Sequence, residues 1–327
     1  MSFVAPRRLH MLIAIALAAA TATAQGQTVA YPVKPVHVVV TFPPGGTPDT
    51  YGRLMASELS ALWSQSVLVE NRTGASGEIG TDFVAKSPAD GYTLLFGADA
   101  PITIAPNMNA KLPYDPIRDF APIINVAQGP FTLMLNPAVP ASNLRELIAL
   151  ARAQPGKLTY ASSGNGSQQH LAMEMIRKSA GIDLVHIPYK GFGQALVDVL
   201  AGHVQMLFGG ITASIPLVES GKLKGIGVTA RNRVSALPKV AAIAEDIPGF
   251  EILAWYGFLA PAGTPPEILR KIHDDAAGIV GRAGFREKIA RDGMEPVANT
   301  PEEFAAQIAR DIRSWGNVVK AAGVKNE

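Results

Sequence analysis

Four turns hold the residues best able to do chemistry in this chain. The first, Phe42-Pro43-Pro44-Gly45-Gly46-Thr47-Pro48-Asp49, ends the apolar run Val38-Val39-Val40 and opens a helical pattern. Pro43 and Pro44 stop a strand, and Gly45 and Gly46 permit a tight turn with exposed backbone. Thr47 suits an N-cap, Pro48 the first helical position and Asp49 the first turn. Such a unit presents backbone N–H groups, for which anions are the natural guests. Turns at 73–77, 162–167 and 209–212 repeat the arrangement. Glycine turns are common, but four at the carboxyl ends of strands point to backbone-rich binding of one small polar ligand.

Side chains in and near these turns extend the candidate list. Ser162, Ser163, Asn165 and Ser167, with Gly166, stand directly before a helix and suit carboxylate or phosphate oxygens. Ser167 also reads as a plain helix cap, and Asn165 as a left-handed turn residue. Ser76 and Gly210 belong to the second and fourth turns, and Gln128 lies at a crossover. Asp49 either favours its helix terminus or binds a ligand ammonium group. Glu78 and Asp99 pose the same choice. Lys190 either steers an anion or is a surface lysine, and His186 reads as structural because no acid pairs with it.

Catalysis finds little support. No phosphate loop, convincing dinucleotide fingerprint or Gly-x-Ser-x-Gly elbow is present. The six histidines show no metal-ligand spacing, and the absence of cysteine removes thiolate chemistry and disulfides. The sequence therefore implies no enzyme, cofactor or metal.

These turns need elements to position them. Strands are expected at 36–42, 67–70 and 92–96, with helices at 48–62 and 78–86 between them, which is βαβ architecture with a parallel sheet. The helix at 48–62 carries a stripe of Leu54, Leu59 and Leu62, supported by Met55. Segments 123–126 and 131–135 read as two strands flanking the crossover Gln128-Gly129-Pro130. A second series of strands, turns and helices runs from 142 to 229. After a strand-like stretch at 251–260, the last long helix starts near Thr300-Pro301, with Phe304, Ile308, Ile312 and Trp315 on one face.

The N-terminus has the order of an export signal. Arg7 and Arg8 precede an apolar run over 11–20, and Ala22-Thr23-Ala24 fits cleavage before Gln25. The run is too short for a mature anchor. Residues 1–24 contain two of the 29 basic residues and none of the 27 acids, so the remainder balances at 27 of each sign. Zero net charge argues against nucleic acid as a partner.

The motifs Phe42-Pro43-Pro44-Gly45-Gly46 with Asp49, Val69-Glu70-Asn71-Arg72, Asp90-Gly91-Tyr92-Thr93-Leu94 and Leu112-Pro113-Tyr114-Asp115-Pro116 carry a resemblance. It continues through His186-Ile187-Pro188-Tyr189-Lys190-Gly191, Ala260-Pro261-Ala262-Gly263-Thr264-Pro265 and Pro301-Glu302-Glu303-Phe304. In these the chain resembles the substrate receptors of tripartite tricarboxylate transporters, the Bug/TctC family, over the whole mature length. The resemblance implies an α/β, two-lobed periplasmic-binding-protein fold (type II, Venus flytrap) with mostly parallel sheets flanked by helices. It implies a periplasmic monomer that passes a small carboxylate to a two-subunit membrane permease, without cofactor. It also implies that the turn at 42–49 receives a ligand carboxylate and that the turn at 162–167 receives polar groups.

The chain departs from the family pattern at Thr73, Ser76, Glu78, Gln205 and around Asp99; where Glu78 or Asp99 reaches the cleft, a ligand with an amine, amide or aromatic end is favoured over citrate. The expected organisation is a signal peptide at 1–24, one lobe at 30–125 plus 252–327, and another at 126–251. A ligand-sensing protein that signals to a membrane partner is the alternative reading, and a small-molecule enzyme a more distant one.

Overall fold

Five consecutive residues, Val36–Val40, form strand β1, and four of them are fully buried. In the computed structural model, which describes residues 30–323, β1 lies between parallel neighbours β2 (Val67–Asn71) and β3 (Thr93–Ala98). The expected signal peptide lies outside the described residues. Helix α1 (Thr47–Trp63) and helix α2 (Glu78–Ala85) complete the βαβ order. The buried side of α1 is Tyr51, Gly52, Met55, Ala56 and Leu59, whereas Leu54 is half-buried and Leu62 exposed. The stripe is thus rotated from the leucine pattern. A Cβ on Gly52 would stand 2.9 Å from Val40 Cγ2, so only glycine lets the helix settle so close to the sheet.

Strand β4 (Phe120–Leu135) is a single 16-residue strand, not two segments around a break. It changes partners where the crossover was expected. Phe120 to Pro130 pair with β9 (Leu253–Pro261), and Phe131 to Leu135 pair with β7 (Met206–Gly210). Around the second half lie β5 (Thr159–Ser162), β6 (Val185–Pro188) and β8 (Lys224–Val228). Strand order is β2-β1-β3-β9-β4-β7-β5-β6, with β8 and the short β10 (Glu295–Pro296) also on β4.

Among the described residues four strand pairings are parallel and five antiparallel. The sheets are therefore mixed, which corrects the expectation of mostly parallel sheets. Each βαβ series supplies parallel neighbours, but β4 and β9 run between the two halves in opposite directions and add antiparallel edges.

The remaining helices of eight or more residues are α3 (Leu144–Ala153), α4 (Gln168–Ala180), α5 (Phe192–Leu200), α6 (Ile211–Glu219), α7 (Pro266–Val280), α8 (Ala283–Arg291) and α9 (Pro301–Ala322). Among the described residues two hydrophobic cores are separate, and the chain is two-lobed. One core gathers Val39, Leu95, Phe120, Trp255, Phe304 and Ile308, and the other Met134, Ala161, Val199 and Leu207. The terminal helix α9 is opened by a capping box of Thr300 and Glu303 and docks Phe304 and Ile308 into the first core. It also lies against α4 of the second lobe.

Candidate functional site

The turn after β1 is built around Asp49. Gly45 N–H donates to its Oδ2 at 2.9 Å, and Arg53 Nε and Asn71 Nδ2 donate to Oδ1 at 2.9 and 2.8 Å. Asn71 Nδ2 also donates to the carbonyl of Phe42 at 3.0 Å. Burial pushes the Asp49 carboxyl up, but the bonds from Arg53, Gly45 and Asn71 outweigh it and leave the group below its ordinary value. Asp49 is therefore occupied in folding the turn. Pro43, Pro44 and Gly45 are exposed at its tip, with Gly45 at φ +82°, while Phe42, Gly46 and Thr47 are half-buried.

The N-cap of helix α1 lies one residue earlier than expected. Gly46 is the N-cap, Thr47 is the first helical residue, and no side chain caps the end. Helix α6, in the other lobe, likewise starts from Gly210 without a side-chain cap. These two helix starts lie close together, since a Cβ on Gly210 would lie 3.9 Å from Thr47 Oγ1. Uncapped first-turn N–H groups and the positive ends of two helix dipoles thus meet between the lobes. Beside them Tyr51 donates its hydroxyl to Asp292 Oδ2 at 3.0 Å, and Thr212 donates to the Asp292 carbonyl at 2.9 Å. The Tyr51 ring stacks on Tyr256 at 6.4 Å. Burial and then the nearby Asp99 carboxyl push the Tyr256 hydroxyl up, while Thr47 acts in the opposite sense.

Asp99, just past β3, is only 2% exposed. Gln168 Nε2, at the start of α4, donates to its Oδ2 across the two series of elements. Its Oδ1 has no hydrogen-bond partner among the described residues. Burial first, and the Asp311 carboxyl second, push Asp99 well above the ordinary carboxylate range. Asp311, on α9, is itself pushed up to about 6, chiefly by burial.

The turn at 162–167 is bonded largely to itself and to a stack of rings. Gly164 N–H donates to Ser162 Oγ at 3.1 Å, and Ser167 N–H donates to the Gly164 carbonyl at 3.2 Å. Ser167 caps α4 by accepting from His170 N–H at 3.3 Å, as its cap pattern suggests. Gly166 N–H donates to His170 Nδ1 at 3.1 Å, and Ser162 Oγ lies 2.6 Å from His186 Nε2. Ser163 remains half-buried and Asn165 exposed. A Cβ on Gly166 would stand 2.9 Å from Met108 Cε, a residue that follows Asp99 in the other lobe.

The other candidates make the following contacts. Ser76 is exposed, in a turn whose Gly77 packs against Thr41 and Pro101. Glu78 accepts from Asn109 Nδ2 at 3.0 Å. Gln128 donates to Glu295 Oε2 at 3.0 Å, and it lines a cavity of about 350 Å3 with Arg231, Asn232 and Glu251 on the side of the β4 crossover. Lys190 is exposed. A second concavity, of about 360 Å3, is bounded by Arg145, Arg152 and Glu245, also away from the turns. Thr41, Tyr51, Gln168, Tyr256, Asp292 and Asp311 escaped the sequence reading, because apolar patterning marks none of them as site residues. Only Gln168, directly after the Ser167 cap, carried a local signal. Among the described residues no three His, Asp or Glu side chains are grouped to hold a metal ion.

Residues 52–324 match the model of the tripartite tricarboxylate transporter family receptor. The chain is 35% identical to BugT of Bordetella pertussis, over 97% of this chain and 98% of that protein. Among solved structures it resembles Rpa4515 of R. palustris with adipate, at 34% identity and a TM-score of 0.86, covering 90% of this chain and 99% of that one. It also resembles MatC of Rhodopseudomonas palustris with bound malate, at 29% identity and a TM-score of 0.80, over 88% and 100% of the two chains.

Proposed function

Because the chain belongs to the tripartite tricarboxylate transporter receptor family, we propose that its two lobes close on one small carboxylate held between the starts of α1 and α6. The closeness of Gly210 and Thr47 carries this reading. Two helix starts without side-chain caps leave first-turn N–H groups that an anion satisfies, and closure removes the water that would compete. Adipate and malate in the two solved relatives are carboxylates of suitable size. The protein is a periplasmic solute receptor and not an enzyme.

Further parts of the reading go with it. The lobes comprise 30–125 plus 252–327, and 126–251. The export signal at 1–24 is removed near Ala24 and Gln25, and the monomer delivers its ligand to a two-subunit permease. The ligand's second end carries an amine, amide or aromatic group. The largest influences on Asp99 are burial, Asp311, backbone N–H groups and Gln168, and its Oδ1 has no partner among the described residues, so that oxygen is suited to an N–H donor brought by the ligand.

Isothermal titration calorimetry with succinate, malate, adipate, aspartate and citrate tests the reading. At least one C4–C6 acid is expected to bind at micromolar concentration, with citrate weaker and aspartate tighter than succinate. Asp99→Asn should erase the aspartate preference, and Gly210→Leu, which fills the gap between the helix starts, should weaken every ligand at least tenfold. No binding by any acid below millimolar concentration would overturn it.

A further inference from the structure

We propose that the stacked imidazoles of His170 and His186 are positioning residues that hold the turn at 162–167 in its receiving shape and make ligand capture depend on pH. The inference rests on the reading of that turn as part of the carboxylate site. The rings lie 3.9 Å apart with planes 13° from parallel, and Tyr160 continues the stack 4.8 Å from His186. Both outer contacts end on the turn, His170 Nδ1 on the Gly166 N–H and His186 Nε2 on Ser162 Oγ. Ser162 Oγ in turn reaches the Gly164 N–H. Gly164 and Gly166 sit at φ +127° and +72°, so the peptides between them have their orientation fixed by these bonds.

Only an unprotonated Nδ1 has a lone pair for the Gly166 N–H. Protonation there places two donors face to face and opens the turn. Of the charges around the stack, Glu174 favours an imidazolium and Arg177 opposes it at His170, and burial outweighs Glu174. Glu174, on α4, already accepts from Arg177 Nε and Nη2 and from the Tyr160 hydroxyl of β5. Arg177, with Asp183 at 3.9 Å, adds a positive charge nearby. Burial is the main reason that both rings titrate below the ordinary histidine range, and His186, which also faces His170, is brought down to about 4. Both rings are therefore neutral at pH 7, and the bonds to the turn are intact there.

The test is calorimetric affinity for succinate, malate, adipate and aspartate between pH 4.5 and 8, on wild type, His170→Asn and His170→Leu, with folding checked by circular dichroism at each pH. The side-chain amide oxygen of the His170→Asn variant accepts the Gly166 N–H but does not titrate, so that variant separates this effect from titration of the ligand, Asp99 or Asp311. Wild type should hold its affinity from pH 8 to 6 and lose at least tenfold more than His170→Asn by pH 4.5. His170→Leu should bind at least tenfold more weakly at pH 7.5, with His170→Asn recovering most of that loss. Equal pH profiles for wild type and His170→Asn, or full affinity in His170→Leu, would overturn this inference alone. Absence of any binding by wild type at pH 7.5 would overturn the carboxylate reading and this one with it.

Discussion

Asp99 and Asp311 come from distant parts of the chain, the first buried and the second half-buried, and the Asp311 carboxyl makes Asp99 harder to ionise. For Asp311 the sign of the stability effect follows from its raised value of about 6 against an ordinary 3.8. Its contribution is fully present below about pH 3.8 and is lost as pH rises through about 6, so at pH 7.5 the ionised group costs roughly 3 kcal/mol. Asp311→Asn should therefore raise stability by up to about 3 kcal/mol at pH 7.5, and by only about 1 kcal/mol at pH 4.5. Urea denaturation at the two pH values measures this, and equal gains at both would contradict it. Asp49 shows the opposite case, a buried carboxylate kept charged because Arg53, Gly45 and Asn71 all donate to it.

Among the elements, the turn before α2 stores backbone strain. Gly74, Ala75, Ser76 and Gly77 all have positive φ, at 127°, 45°, 52° and 97°, closed by Gly77 N–H donating to the Gly74 carbonyl at 2.9 Å. Left-handed backbone costs a non-glycine residue about 1–2 kcal/mol, whereas glycine forfeits roughly 0.5–1 kcal/mol of chain entropy. Ser76 is exposed. Ser76→Gly should stabilise the protein by up to about 1 kcal/mol, read as a shift in urea midpoint with unchanged slope. A loss of stability would show that the Ser76 side chain makes a stabilising contact in the folded protein.

For the whole molecule, Thr229 ties the two chain crossovers together. Its Oγ1 accepts from Phe131 N–H at 2.8 Å and donates to the Ile252 carbonyl at 2.6 Å. Its backbone N–H donates to the Phe131 carbonyl, and its own carbonyl accepts from Ile252 N–H, each at 2.9 Å. Phe131 is where β4 leaves one set of partners for the other, and Ile252 directly precedes the return strand β9. Thr229→Val keeps the shape but strands two buried backbone groups, and should cost about 2–4 kcal/mol in denaturant unfolding. A cost below about 0.5 kcal/mol would mean that water or a shifted backbone satisfies those groups, and that the tie is not structural.

Sequence alone determined the pieces that depend on neighbours within a few residues. The strand–turn–helix unit at 36–63, the Ser167 cap and the buried face of α9 were legible because proline, glycine, small polar caps and apolar periodicity act locally. The breaks around Gln128-Gly129-Pro130 were misread for the same reason. Local chemistry suggested a turn, while β9 and β7 supply enough hydrogen-bond partners to carry one strand straight through. Only the tertiary structure decided which turns lie close together. Thr47 meets Gly210, and Asp99 meets Gln168, because long-range strand pairing brings separate lobes together, and no local pattern encodes that encounter. The same holds for the histidine stack, where β5, β6 and α4 each contribute one ring that means nothing until the others lie beside it.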